Sequence, residues 1–209
     1  MVTNPTSRHV QRGSTLLEVL IAILIFAFGM VGIAGLMAAG LKYQVGNEAR
    51  LNVSSAINDL SERIRANVAG ANGYTAIIGT TATLGTGYQY ADTYANQIAT
   101  AAAAPSPNCD TAVCTPAQLA TYDERKWRNL LTATLPGGAG YITGDVTTGF
   151  TVTVMWADKG NVDDSGALVS ASSCTDVAAD QNKSSARFCC PSAAAVPAGV
   201  RCYTTRVVP

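Results

Sequence analysis

Gly13-Ser14-Thr15-Leu16-Leu17-Glu18 opens onto a run from Val19 to Leu41 that contains no Asp, Glu, Lys or Arg. A stretch of roughly 20 apolar residues is long enough to cross a bilayer as a helix. Glu18 stands at the mouth of that run, where an ionised carboxylate beside hydrocarbon is costly and is kept for a partner or a role. Residues 1–13 are polar and carry Arg8, His9 and Arg12. Basic residues on that flank favour a cytoplasmic N-terminus, so everything beyond Leu41 is expected across the membrane. A secretory signal is cut after a short apolar region. Here the candidate cut lies before the apolar region, and cleavage after Gly13 would leave the oily segment in the mature chain. The simpler alternative is a plain anchor with Glu18 snorkelling at the interface, but it leaves the Gly-x-Thr-Leu-Leu-Glu spacing unexplained.

Beyond the apolar run the helical pattern continues. Val45, Ala49, Val53, Ile57, Leu60 and Ile64 recur every three or four residues, which is one face of a helix. Polar residues fill the positions between, among them Glu48, Arg50, Glu62, Arg63 and Arg65, and no proline interrupts Ser14 to Ala66. One helix over that range would be about 80 Å long. Its first half needs lipid or copies of itself to pack against, and its second half can carry a globular head. Gly29, Gly32, Gly35 and Gly40 punctuate the apolar half. Each costs about 1 kcal/mol against alanine in a helix, and close helix packing or local unwinding is the physical reason to keep them. The plain alternative is that glycine is common in membrane helices.

After Asn67 the texture becomes Ala-, Gly-, Thr- and Tyr-rich, read as a long connection with a short helix near Ala91–Ala104. Pro116 to Thr132 reads as a second amphipathic helix with Pro116 in its first turn. Its candidate buried positions are Leu119, Tyr122, Trp127, Leu130 and Leu131. Pro136-Gly137-Gly138 ends it. Phe150 to Trp156 is a strong strand, and Ala186–Cys190 and Val200–Val208 are further strands. Consecutive strands joined by loops favour an antiparallel sheet. The sum is an α+β chain, a long N-terminal transmembrane and amphipathic helix packed on a small antiparallel head.

All six cysteines, Cys109, Cys114, Cys174, Cys189, Cys190 and Cys202, follow the apolar run. An even count on one side of a membrane suits an oxidising compartment. Cys109 and Cys114 flank a short loop and are the best candidate pair. Cys189 and Cys190 would point to opposite faces of a strand, so each is expected to have its own distant partner. Cys-x4-Cys and Cys-Cys are poor zinc knuckles.

Arg12 to Leu20 resembles the class III signal of type IV prepilins and pseudopilins, with Ser14 where that family usually has Phe. The resemblance implies cleavage after Gly13 by a prepilin peptidase, N-methylation of Ser14, and Glu18 as the assembly glutamate. It divides the chain into a leader (1–13), a transmembrane and assembly half of the helix (14–41) and a periplasmic head that includes the amphipathic half (42–209), in a type IV pilin fold. Ser61 to Asn67, Asp123 to Trp127 with Leu131, Leu135 to Gly140, and Phe150 to Trp156 with Asp158 resemble segments of PilV-type minor pilins. Residue by residue, Arg63 and Arg65 read as solvated surface and Trp127 as core. The implied partners are other minor pilins, the major pilin, a tip adhesin, the prepilin peptidase and the inner membrane, with later residence in the pilus, at its tip.

No enzyme is expected. The single histidine, His9, lies in the leader, which leaves no histidine base for a Ser/His or Cys/His pair. No phosphate-loop or dinucleotide fingerprint occurs, and no cofactor or metal is expected. Asp158, Asn161, Asp163 and Asp164 form an oxygen-rich loop that lacks EF-hand spacing and reads as hydrogen-bonded turns. The chain balances 14 Lys+Arg against 14 Asp+Glu, which is no footprint for direct nucleic-acid binding. Two rivals share the signal: a minor pseudopilin of a type II secretion system, and a pilus-tip subunit that binds a ligand for adhesion or DNA uptake.

Overall fold

The computed structural model describes residues 15–209 except 73, 79–80, 85–86, 101–102, 172 and 175–186. The side chains of 42, 43, 45, 74–78, 81–84 and 173–174 also lie outside the description. Helix α1 runs Leu16–Ala66. Two compact units divide between Gln44 and Val45. The first is the apolar part of α1. The second holds the rest of α1 with α2 (Val68–Ala71), β1 (Tyr74–Ile78), β2 (Thr81–Leu84), α3 (Tyr94–Ala99), α4 (Pro116–Thr134), β3 (Ala139–Asp145), β4 (Gly149–Ala157), β5 (Ser173–Cys174), β6 (Cys190–Pro191) and β7 (Val200–Val207).

An antiparallel sheet in the order β3-β4-β7 organises the second unit. Strand β4 is central, and its alternation decides the layers. Phe150, Val152, Val154 and Trp156 join the stripe Val53, Ile57, Leu60 and Ile64 of α1 in one core, with Trp127 and Leu131 of α4. Met155 points to the opposite face, where it meets Tyr141, Cys202 and Val200 in a smaller cluster. Burial on both faces explains why Phe150 to Trp156 is β-branched and aromatic almost throughout.

Helix α4 begins at a capping box. Thr115 accepts from the backbone N–H of Gln118, the Gln118 side chain accepts from the N–H of Thr115, and Pro116 follows in the first turn. Tyr122, Trp127 and Leu131 are buried, whereas Leu119 is half-buried and Leu130 exposed, which corrects the sequence reading at those two. The Trp127 indole donates to the carbonyl of Ala56 at 3.0 Å, which ties α4 to α1. Gly137 has φ of +57°, a conformation that favours glycine. At Gly140 a Cβ would collide with the Trp127 ring. The turn after α4 and the start of β3 therefore need glycine for separate reasons.

The outer edge of β3 is also satisfied. Tyr90 and Ile142 exchange backbone hydrogen bonds of 2.9 and 2.7 Å. The buried side chain of Gln97 donates to the carbonyl of Gly140 and accepts from its N–H. An amide side chain thus completes a ladder that would otherwise be an open edge.

A polar hub closes the C-terminal end of α1. Arg63 donates to Asp59 at 2.9 Å and to the buried Asp123 of α4 at 2.8 Å. Tyr88 donates to the other Asp123 oxygen at 2.8 Å, and Asn67 donates to Tyr88 and to the carbonyl of Pro116. Arg63 is therefore not the solvated surface residue that the sequence suggested. Its charge offsets that of a carboxylate shut inside the core. Arg65, paired with Glu62 at 3.2 Å, is exposed as expected.

Four further readings change. The stretch after Asn67 contains a hairpin, β1 with β2, where a loose connection was expected. Its helix is confined to Tyr94–Ala99. The strand expected at Ala186–Cys190 shrinks to Cys190–Pro191, since Arg187 and Phe188 take a 3-10 turn instead; Ala186 lies outside the described residues. This short strand pairs parallel with β5, against the antiparallel expectation.

Gly140→Ala should destabilise the chain by about 1–3 kcal/mol through overpacking against Trp127, read as a lowered urea midpoint. Burial, and then the charge of Asp123, hold the Tyr88 hydroxyl well above the ordinary tyrosine range. A group that keeps its proton longer when folded gives its full stabilisation below its unfolded pKa, about 10 for tyrosine, and loses it as pH rises further. Unfolding free energy should thus fall from about pH 10 upward. Tyr88→Phe should flatten that fall while lowering stability at neutral pH by about 1–3 kcal/mol. Tyr90, pushed up to about 12 chiefly by burial, keeps a residual slope in the variant.

Candidate functional site

The apolar half of α1 is the part of the chain with the least internal explanation. From Leu16 to Leu41 its large side chains stand exposed, Phe26 at 64% and Phe28 at 71%. Among the described residues it is the one helix long and apolar enough to cross a membrane, and none of that window is buried. Nothing in the described chain lies within 4 Å of a Cβ built at Gly29, Gly32, Gly35 or Gly40. Among the described residues nothing packs closely at these glycines.

The helix starts at the expected signal. The backbone N–H groups of Glu18 and Val19 donate to the carbonyl of Thr15, so Glu18 lies in the first turn. A carboxylate there is favoured by the positive end of the helix dipole. Glu18 therefore sits in the first turn of the helix, at the border of the uncharged span. Gly13 and Ser14 lie outside the described residues.

The profile of the prokaryotic N-terminal methylation motif matches residues 8–34. This stretch contains the candidate cut, Glu18 and the first half of the apolar run. It marks a type IV pilin-like or pseudopilin protein. Curated proteins and solved structures give no significant match to the chain. A long apolar N-terminal helix followed by a small three-stranded antiparallel sheet is α+β and consistent with the type IV pilin fold. The motif and the helix together fit a membrane-anchored pilin, and point to a structural protein rather than an enzyme.

On the head, Cys109 and Cys114 form a disulfide across a short loop, with Cα atoms 5.6 Å apart. Cys190 is bonded to Cys202 of β7. Cys189 is also disulfide-bonded, and the side chain of Cys174 lies outside the described residues. Among the described residues no cysteine is free. The second bridge ties the β6 segment to the sheet face opposite α1, and the Thr204 hydroxyl, donating to the carbonyl of Cys189, adds to the same seam.

The oxygen-rich loop uses its carboxylates internally. Asp158 accepts from the N–H of Gly160 and pairs with Arg201. Asp163 accepts from Ser165 and from the N–H of Ala167. These bonds, the Ser165 hydroxyl first, hold the Asp163 carboxyl below its usual range. They are turn chemistry. The Arg63–Asp123–Tyr88 hub and the Gln97 edge cap are the polar sites that sequence reading missed. Pairs far apart in sequence leave no local signal, although a charged residue on the buried face of a helix, as Asp123 is beside Trp127 and Tyr122, is itself a pointer to a partner.

A charge at the centre of the apolar run should cost about 3 kcal/mol of insertion. Phe26→Asp should therefore shift the protein from the carbonate-resistant membrane pellet toward the extractable fraction, while Phe26→Leu should leave it in the pellet.

Proposed function

We propose that this chain is a minor pilin of the PilV type. The N-terminus lies in the cytoplasm and the head in the periplasm. Prepilin peptidase cuts after Gly13, and Ser14 is N-methylated as the new first residue. The mature subunit joins a type IV pilus in a priming or tip complex with other minor pilins, the major pilin and a tip adhesin. The observation that carries this reading is the methylation motif at residues 8–34 leading into an apolar helix whose large side chains stand exposed among the described residues.

The mechanism is binding. Apolar surfaces of neighbouring helices cover one another, and the Glu18 carboxylate meets the N-terminal amine of an adjoining subunit. In a low-dielectric bundle that pairing resolves register, because misplacing either charge strands the other. Removing one partner of such a buried pair costs about 3–5 kcal/mol. The head rides outside the bundle and keeps its own core.

A minor pseudopilin of a type II secretion system shares the signal and the fold. Deletion separates the two: loss of pili supports the pilus assignment, and retained pili with failed secretion supports the other. Within the pilus reading, Glu18→Ala should abolish recovery of the protein in sheared filaments, while the disulfides form and the head stays protease-resistant. Glu18→Asp should retain part of the incorporation. Normal incorporation of Glu18→Ala would overturn the proposed mechanism.

A further inference from the structure

A cleft of about 370 Å³ opens on the head between the Arg50–Ser54 turn of α1, the 161–171 loop and β7. Its floor is apolar and closed, made by Val53, Trp156 and Val200, all buried. One wall is an edge-to-face pair, Phe188 and Tyr203, with ring centroids 6.0 Å apart. Phe188 remains 61% exposed at the lip, so the aromatic wall faces open space. The size and the apolar lining with few polar groups are those of small-molecule sites.

Charge around the cleft is one-sided. Arg201 is offset by Asp158, its Nε 2.6 Å from the carboxylate. Arg50 has no such partner: among the described residues its guanidinium makes no hydrogen bond or ion pair, and only its backbone carbonyl is used, by the Ser54 hydroxyl. Among the described residues no Asp or Glu lines the cleft. A free guanidinium beside an apolar slot selects a carboxylate, which its fork can hold in two parallel hydrogen bonds. The aromatic wall selects a flat apolar body.

We propose that this cleft binds a small aromatic carboxylate, with the acid on Arg50 and the ring between Trp156 and the Phe188–Tyr203 pair. The proposal is independent of how the N-terminal helix assembles. Phenylacetate is a suitable probe and phenylacetamide its uncharged match. Both are titrated by ligand-observed NMR against the oxidised full chain in lipid nanodiscs, with empty nanodiscs as the control for partitioning. Phenylacetate should bind saturably and roughly tenfold tighter than the amide, the ratio expected for about 1.4 kcal/mol. Arg50→Gln, at an exposed helix position, should bring the acid down to the affinity of the amide and leave the amide unchanged. Ser54→Leu should weaken both by filling the slot. The proposal is overturned by absence of saturable binding to the wild-type chain. Equal affinity for acid and amide, or an Arg50→Gln variant that still prefers the acid, overturns it equally.

Discussion

Large apolar side chains stand on all sides of α1 between Leu16 and Leu41, and removing such surface from water is the dominant drive in folding and association. Among the described residues, the core clusters of the head contain none of these side chains. The surface must therefore be covered by lipid, by other helices, or by each in turn. An uncharged helix suits both surroundings, because every internal backbone group is satisfied within it. Glu18 is the single ionisable group in the span and sits at its border.

The head answers a different problem. A helix that leaves a membrane needs a firm end, and α1 obtains one from the Arg63–Asp123–Tyr88 hub, which links it to α4 and to the segment before α3. The hub places a charge pair and a phenol in a core otherwise built from Leu60, Ile64, Trp127 and Phe150. Such groups are costly unless fully paired, so the hub tolerates one docking of α4 on α1. Opposite, the Cys190–Cys202 bridge and the turn after β6 cover the second face of the sheet.

Periodicity made α1, α4, β4 and β7 readable. Their apolar residues recur at 3.6 or 2, and Pro116 marks the start of α4 within one residue. The stripe Val53, Ile57, Leu60 and Ile64 is buried as its spacing suggests, although Leu119 and Leu130 lie at the margin of the α4 face rather than in the core. Strand β3 escaped notice because its glycines weaken the strand pattern, whereas Gly140 is small to admit the Trp127 ring. The β1–β2 hairpin was hidden by its composition, although two β-rich runs separated by Gly79-Thr80 carry a hairpin signal. Of the site, the methylation motif at residues 8–34 and the apolar run were legible, since both are written in contiguous sequence. The hub and the Arg50 cleft were not, because each is assembled from segments tens of residues apart.

The central claim is that the apolar helix survives maturation and works while covered by something other than its own chain. Intact mass and N-terminal sequencing of the protein taken from its native membranes test it most directly. The account predicts a chain that starts at Ser14, retains residues 14–41 and carries one methyl group on its first amine. A chain that still starts at Met1, or one cut beyond Leu41, would contradict it.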